Sequence, residues 1–208
     1  MVEAFPGRRF ADVGAYWQGY AAQLAHATAS VDRAKLDAAA ALLEAAIRAG
    51  NWVYACGNGG SAAISNHLLC DFAKGIQTDT DHRPRVISLA ANIETILAIG
   101  NDIGFDDVFV YQLRTAARAG DVLVTISSSG NSENIVRPIE WARRNGVKTI
   151  ALTGFDGGRS ARLADLNIHV DARNYGVIED VHQSLMHALS QFIRQAAMAA
   201  ERIPGARF

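Results

Sequence analysis

The sequence predicts a three-layer α/β fold, with a parallel sheet of five strands and helices on both faces. Two observations predict it. From residue 52 onward, short apolar runs alternate with helical stretches, the rhythm of parallel strands in a sheet covered on both sides. Two of the runs, WVYAC at 52–56 and DVLVTI at 121–126, each lead into a Gly/Ser-rich loop that opens a helix. Open parallel sheets carry their ligands at such strand ends.

The elements follow in order. Residues 10–49 read as two helices. Phe10, Val13, Tyr16, Trp17, Tyr20 and Leu24 fall mostly at spacings of three and four and so share one face. Ser30 or Asp32 is placed to cap the second helix, whose stripe is Leu36, Ala39, Leu42, Leu43 and Ile47. Gly50 suits its end. Two amphipathic helices ahead of the first strand need an apolar surface to pack on, and a partner subunit is one candidate. WVYAC then forms a strand, followed by GNGGS and a helix through Lys74. RVISLA at 85–90 is the next strand, and helical stretches cover 93–100 and 106–118. DVLVTI, the SSSGNSEN loop and a helix to Arg144 come next, then the strand VKTIALT at 147–153. A short helix at 158–163, a strand at 166–170 and a last helix from about Val177 to Ala200 complete the chain. The expected organisation is one domain overall, with residues 51–208 forming the sheet domain and residues 1–50 a helical segment packing on other subunits.

Composition narrows the function. A chain of 208 residues, half of them apolar, can bury a full core without disulfides or metals. The formal net charge of -1 argues against a general nucleic-acid or membrane-surface binder, because affinity for phosphate backbones needs a basic field. The two cysteines, Cys56 and Cys70, sit in apolar surroundings, which fits a reduced, cytoplasmic protein. The stretch MVEAFPGRRFADVGAYW has no secretory h-region, and no apolar run reaches the ~20 residues of a membrane span.

The loop from Ser127 to Ser132 carries four hydroxyls in six residues, on Ser127, Ser128, Ser129 and Ser132. One helix cap needs one serine, so four point elsewhere. Hydroxyls, loop amides and a helix N-terminus together wrap a phosphate without lysine or arginine, which suits a monophosphate ester released after turnover. The loop Gly57-Asn58-Gly59-Gly60-Ser61 matches neither the Walker pattern nor GxGxxG. Its Asn58, Gly59 and Ser61 are candidates for the sugar part of a substrate. His67 and Asp71 lie four apart on the helix that follows, facing one way. Glu179, Gln183 and His187 repeat at fours on the last helix. Two histidines and two carboxylates from two helices suit a tetrahedral zinc site. His182 and Asp180 sit beside that face, and His26, His82 and His169 read as structural or surface residues.

GNGGSA at 57–62, GNDIGFDDVF at 100–109 and ISSSGNSENI at 126–135 together resemble the SIS (sugar isomerase) domain, and within it the phosphoheptose isomerases. The resemblance covers nearly the whole chain. It implies one zinc per subunit, held by His67, Asp71, Glu179 and His187. It implies ketose-to-aldose isomerisation through an ene-diol, sedoheptulose 7-phosphate giving D-glycero-D-manno-heptose 7-phosphate, the first step of ADP- or GDP-heptose biosynthesis. Asp71 and His187 are then the acid/base pair, and Asp102 is a third catalytic or binding candidate. Asn58, Gly59, Ser61, Asn101, Asp102, Ser127, Ser128, Ser129, Ser132 and Glu179 would bind the sugar phosphate. The resemblance also implies a homotetramer with sites at subunit interfaces. The chain departs from the family pattern at three places. Asp71 stands for a glutamate, Glu179 for a glutamine, and Phe72-Ala73-Lys74-Gly75 occupies a stretch where an arginine often follows. These departures bear on the substrate more than on the reaction type. An isomerase of another sugar phosphate is therefore one alternative. The other is a non-catalytic SIS protein, a phosphosugar-binding regulator or a replication-initiator-associating protein. Retention of His67, an acid at 71 and His187 favours an enzyme.

Overall fold

The computed structural model describes residues 5–208; residues 1–4, which open the stretch read for a secretory signal, lie outside them. Five strands form one parallel sheet: β1 (Trp52–Gly57), β2 (Arg85–Ser88), β3 (Val122–Ser127), β4 (Lys148–Thr153) and β5 (Leu166–His169), in the order β2-β1-β3-β4-β5. From β1 the chain steps outward to β2, then returns past β1 to β3 and proceeds the other way. The switch therefore lies between β1 and β3, where parallel sheets leave a crevice at their carboxyl ends. The two loops that border this crevice are the two Gly/Ser loops.

Among the described residues, eight α-helices accompany the sheet: α1 (Val13–Ala29), α2 (Arg33–Arg48), α3 (Gly60–Cys70), α4 (Ile93–Asp102), α5 (Val110–Ala116), α6 (Glu133–Arg144), α7 (Gly158–Leu163) and α8 (Tyr175–Ala197). Alternation along the strands splits the core in two. Val53, Ala55, Val122, Val124 and Ile126 face the side of α2, α3 and α8, with Leu43, Ile64 and Val181. Tyr54, Cys56 and Leu123 face the other side, with Leu113 and Ile135. No helix is long and apolar enough to cross a membrane among the described residues.

Local chemistry sets several boundaries. Asp32, not Ser30, caps α2: its Oδ1 accepts from Ala34 N–H at 2.9 Å and Lys35 N–H at 3.3 Å. Ser30 has helical backbone angles at the end of α1, whereas an N-cap needs extended ones. The helix expected over 106–118 starts only at Val110, because a 3-10 turn at Phe105–Asp107 intervenes. There Asp106 and Asp107 meet Arg137 at 3.1 and 2.8 Å. The helix expected to run through Lys74 widens into a π-helical turn at Asp71–Ile76, a form that often marks functional positions. Asn174 starts α8 two residues earlier than expected, its side chain accepting from Val177 N–H at 3.0 Å.

The two leading helices differ in how they are used. α2 buries Ala39, Leu43 and Ile47 within the chain's own core. α1 buries only Ala27 and is tied to α8 by Tyr20, whose hydroxyl donates to Asp180 at 2.7 Å. Val13 and Trp17 on α1 are left 84% and 63% exposed. Cys56 is buried in β1, and burial pushes its thiol well up. Cys70, expected in apolar surroundings, is exposed.

Candidate active site

The crevice at the switch point holds a cavity lined by Asn58, Ser61, Ser127, Ser128, Ser129, Ser132, Ile126, Tyr175 and Glu179. The two loops meet across it through Asn58 and Asn134. Each side-chain amide donates to the other's carbonyl, at 2.9 and 2.8 Å. Inside the serine loop, Gly130 N–H donates to Ser127 Oγ at 3.1 Å. Ser128 Oγ is buried with no protein hydrogen-bond partner. Buried hydroxyls are rarely left so, and a ligand oxygen in the cavity would satisfy it. Gly59 holds φ +54 immediately before α3, a conformation glycine adopts without strain. Seven of the sequence-predicted binding residues, Asn58, Ser61, Ser127, Ser128, Ser129, Ser132 and Glu179, thus come together.

A second cluster lies further along the seam between α3 and α8. His67, Asp71 and His187 bring donor atoms within 4.8 Å of one another. His187 Nδ1 and Asp71 Oδ2 are 2.7 Å apart, and His67 Nε2 is 3.3 Å from Asp71 Oδ1. The imidazoles of His67 and His187 meet edge-on, 4.8 Å between centroids. The amide of Gln183 lies between them, 3.1 Å from His67 Nδ1 and 2.9 Å from His187 Nε2.

Glu179 is not part of this cluster. It stands eight residues before His187, about 12 Å along a helix axis, and its carboxylate packs directly on Gly60 at the start of α3. Gln183 fills the place beside the histidines instead. Asn101 and Asp102 line neither the cavity nor the cluster. They are exposed at the end of α4, where the Asn101 amide donates to Asp102 at 2.7 Å. His182 is fully buried, turned toward the Thr153 carbonyl at 3.3 Å. Tyr175 in the cavity wall carried no signal in the sequence beyond its place near the start of α8.

Burial, and after it the neighbouring Asp180, raise the Glu179 carboxyl above its ordinary value. A raised carboxyl favours the folded state when protonated and loses that advantage as pH rises through its folded value. Glu179→Gln is therefore expected to raise the melting temperature at pH 7.5, with the gap closing toward pH 4. A melting series over that range checks the sign.

The SIS domain family model matches residues 16–154. The chain belongs to the SIS domain family. Among SIS relatives, the phosphoheptose isomerase of Rhodospirillum rubrum is 40% identical over 158 residues, covering 76% of this chain and 84% of that one. The structure of phosphoheptose isomerase GmhA from Neisseria gonorrhoeae superposes with a TM-score of 0.79 at 33% identity, over 87% of this chain and 96% of the other. That of a phosphoheptose isomerase from Francisella tularensis gives 0.81 at 28% identity, over 88% and 96%. The three-layer SIS architecture expected from the sequence is the one observed.

Proposed function

We propose that this SIS protein is a phosphoheptose isomerase, converting sedoheptulose 7-phosphate to D-glycero-D-manno-heptose 7-phosphate at the head of heptose biosynthesis. One observation carries the reading. The seam between α3 and α8 holds a serine-lined cavity at one end and the His67–Asp71–His187 cluster further along, and relatives covering most of the chain bear that name.

The serine loop, with the amides at the start of α6, receives the phosphate, and the unpartnered Ser128 hydroxyl supplies a further hydrogen bond. Asn58 and Ser61 contact sugar hydroxyls. Across their 2.7 Å contact, His187 Nδ1–H donates to Asp71 Oδ2, which holds the imidazole in place. This pair takes the proton from C1 of the ketose and returns one to C2, the ene-diol lying between the two transfers.

Two imidazoles and a carboxylate, with a side-chain amide beside them, fit the donor set of an open zinc site. His67, Asp71 and His187 would hold the ion, with Gln183 or a reoriented Glu179 as fourth donor, and a side chain of this set would act as acid or base only while it is not engaged with the ion. Such an ion, when bound, polarises the carbonyl and offsets charge on the ene-diolate.

The proposed assembly is a homotetramer with sites at its interfaces. Apolar side chains left exposed on α1 (Val13, Trp17) and on α4 (Ile93, Leu97) support it. Asn101 and Asp102 stand on α4, and a neighbouring subunit is what would carry them to a site. Metal content, light scattering and turnover on one purified sample, with and without chelator, test the proposal. About one zinc per subunit and chelator-sensitive conversion of sedoheptulose 7-phosphate are expected. A metal-free protein that binds a phosphosugar without converting it would replace the isomerase with a sugar-phosphate regulator.

A further inference from the structure

The serine loop has an outer wall that does not touch the cavity. Residues 154–160, between β4 and the first turn of α7, are laced to it along its length. Gly154 N–H donates to the Ser128 carbonyl at 2.9 Å, and Ser160 N–H to the Gly130 carbonyl at 2.9 Å. Arg159 N–H donates to Asn131 Oδ1 at 3.0 Å. The contact is too close for side chains. A Cβ on Gly130 would strike the Gly157 carbonyl, and one on Gly158 the Ser129 carbonyl. Both glycines hold positive φ, +65 and +54.

Arg159 adds charge to this wall. Its guanidinium pairs with Glu133, and with Glu140 at 3.2 Å. Glu133 is the first residue of α6, next to the cavity-lining Ser132. Among the described residues, none that lines the cavity is cationic, and Glu179 there is acidic. A carboxylate at the first position of α6 sits at the same helix end that a phosphate would use. Arg137 approaches Glu133 only at 3.8 Å and is engaged by Asp106 and Asp107. Around the loop, two guanidinium groups thus serve four carboxylates, those of Asp106, Asp107, Glu133 and Glu140.

We infer that Arg159 is a positioning residue for a phosphate dianion in the serine loop. Its backbone pins the loop through Asn131, and its guanidinium screens Glu133, which would otherwise repel the incoming dianion. The inference rests on the proposed phosphate role of the cavity.

The test compares wild type, Arg159→Ala, Arg159→Lys and the double variant Glu133→Gln/Arg159→Ala. Steady-state kinetics with sedoheptulose 7-phosphate are paired with calorimetric binding of inorganic phosphate, at 0.05 and 0.5 M salt. Arg159→Ala is expected to raise KM and the phosphate Kd by about five-fold at low salt, with kcat within about two-fold. Arg159→Lys and the double variant recover most of the loss, and high salt narrows the gap. Unchanged KM and Kd in Arg159→Ala would overturn the inference. So would a loss that neither Glu133→Gln nor salt relieves, since that marks packing alone. Wild-type protein that neither binds phosphate nor turns over the sugar phosphate would overturn the phosphate reading itself, and this inference with it.

Discussion

Replacing His187 by alanine is expected to lower kcat at least 1,000-fold while leaving the protein folded. Proton transfer by a positioned side chain supplies roughly 10²–10⁴-fold, and this imidazole is the meeting point of the cluster, contacting Asp71, Gln183 and His67. Its side chain is 37% exposed, so truncation opens no sealed cavity and the melting temperature should move by only a few degrees. Zinc content should fall with activity. Gln183→Ala makes the informative comparison. It leaves the three strongest donors in place, so a loss of about 10–100-fold in metal affinity, with activity restored by excess zinc, is expected. Wild-type turnover in His187→Ala would remove the cluster from the mechanism.

The second large effect is on stability in acid. Burial, above all, pushes His182 down to about 4 from an ordinary value of 6.5. The bond to the Thr153 carbonyl partly opposes burial, and His169 adds to it. The folded state therefore holds His182 neutral, whereas the unfolded chain takes up a proton below pH 6.5. A depressed group contributes stability that is present above its unfolded value and lost as pH falls through its folded one. The amount is about 3 kcal/mol, lost between pH 6.5 and 4. Urea unfolding at pH 7.5, 6 and 5 should show wild type losing ground to His182→Gln as pH falls. A gap between the two that stays constant over that range would show that His182 does not titrate with unfolding.

The sheet was legible because its strands are short apolar runs bounded by turn residues, and β1 and β3 are buried on both faces. The serine loop was legible because four hydroxyls exceed what one cap uses. Harder were features decided by contacts far apart in sequence. Spacing by four places Glu179 and Gln183 on one helix face alike; which of them stands beside His67 depends on how α8 lies against α3. The Asn58–Asn134 pair joins amides 76 residues apart, and neither residue announces the other. Ser30 and Asp32 were equally good caps until backbone angles separated them. The π-helical turn after Cys70 has no local signature: Phe72-Ala73-Lys74-Gly75 reads as ordinary helix.

A single helix, α8, carries Glu179 into the serine-lined cavity and His187 into the cluster. On the proposed reading, α8 sets how far Glu179, in the cavity wall, stands from His187, while the serine loop borders the same cavity. A site of that kind would work as a calliper, sensing the length of the molecule stretched between its jaws. On the same reading, a long sugar phosphate gripped at the phosphate would reach His187 more readily than a short one, and an extended open chain, whose carbonyl is free to react, would span the gap better than a closed ring.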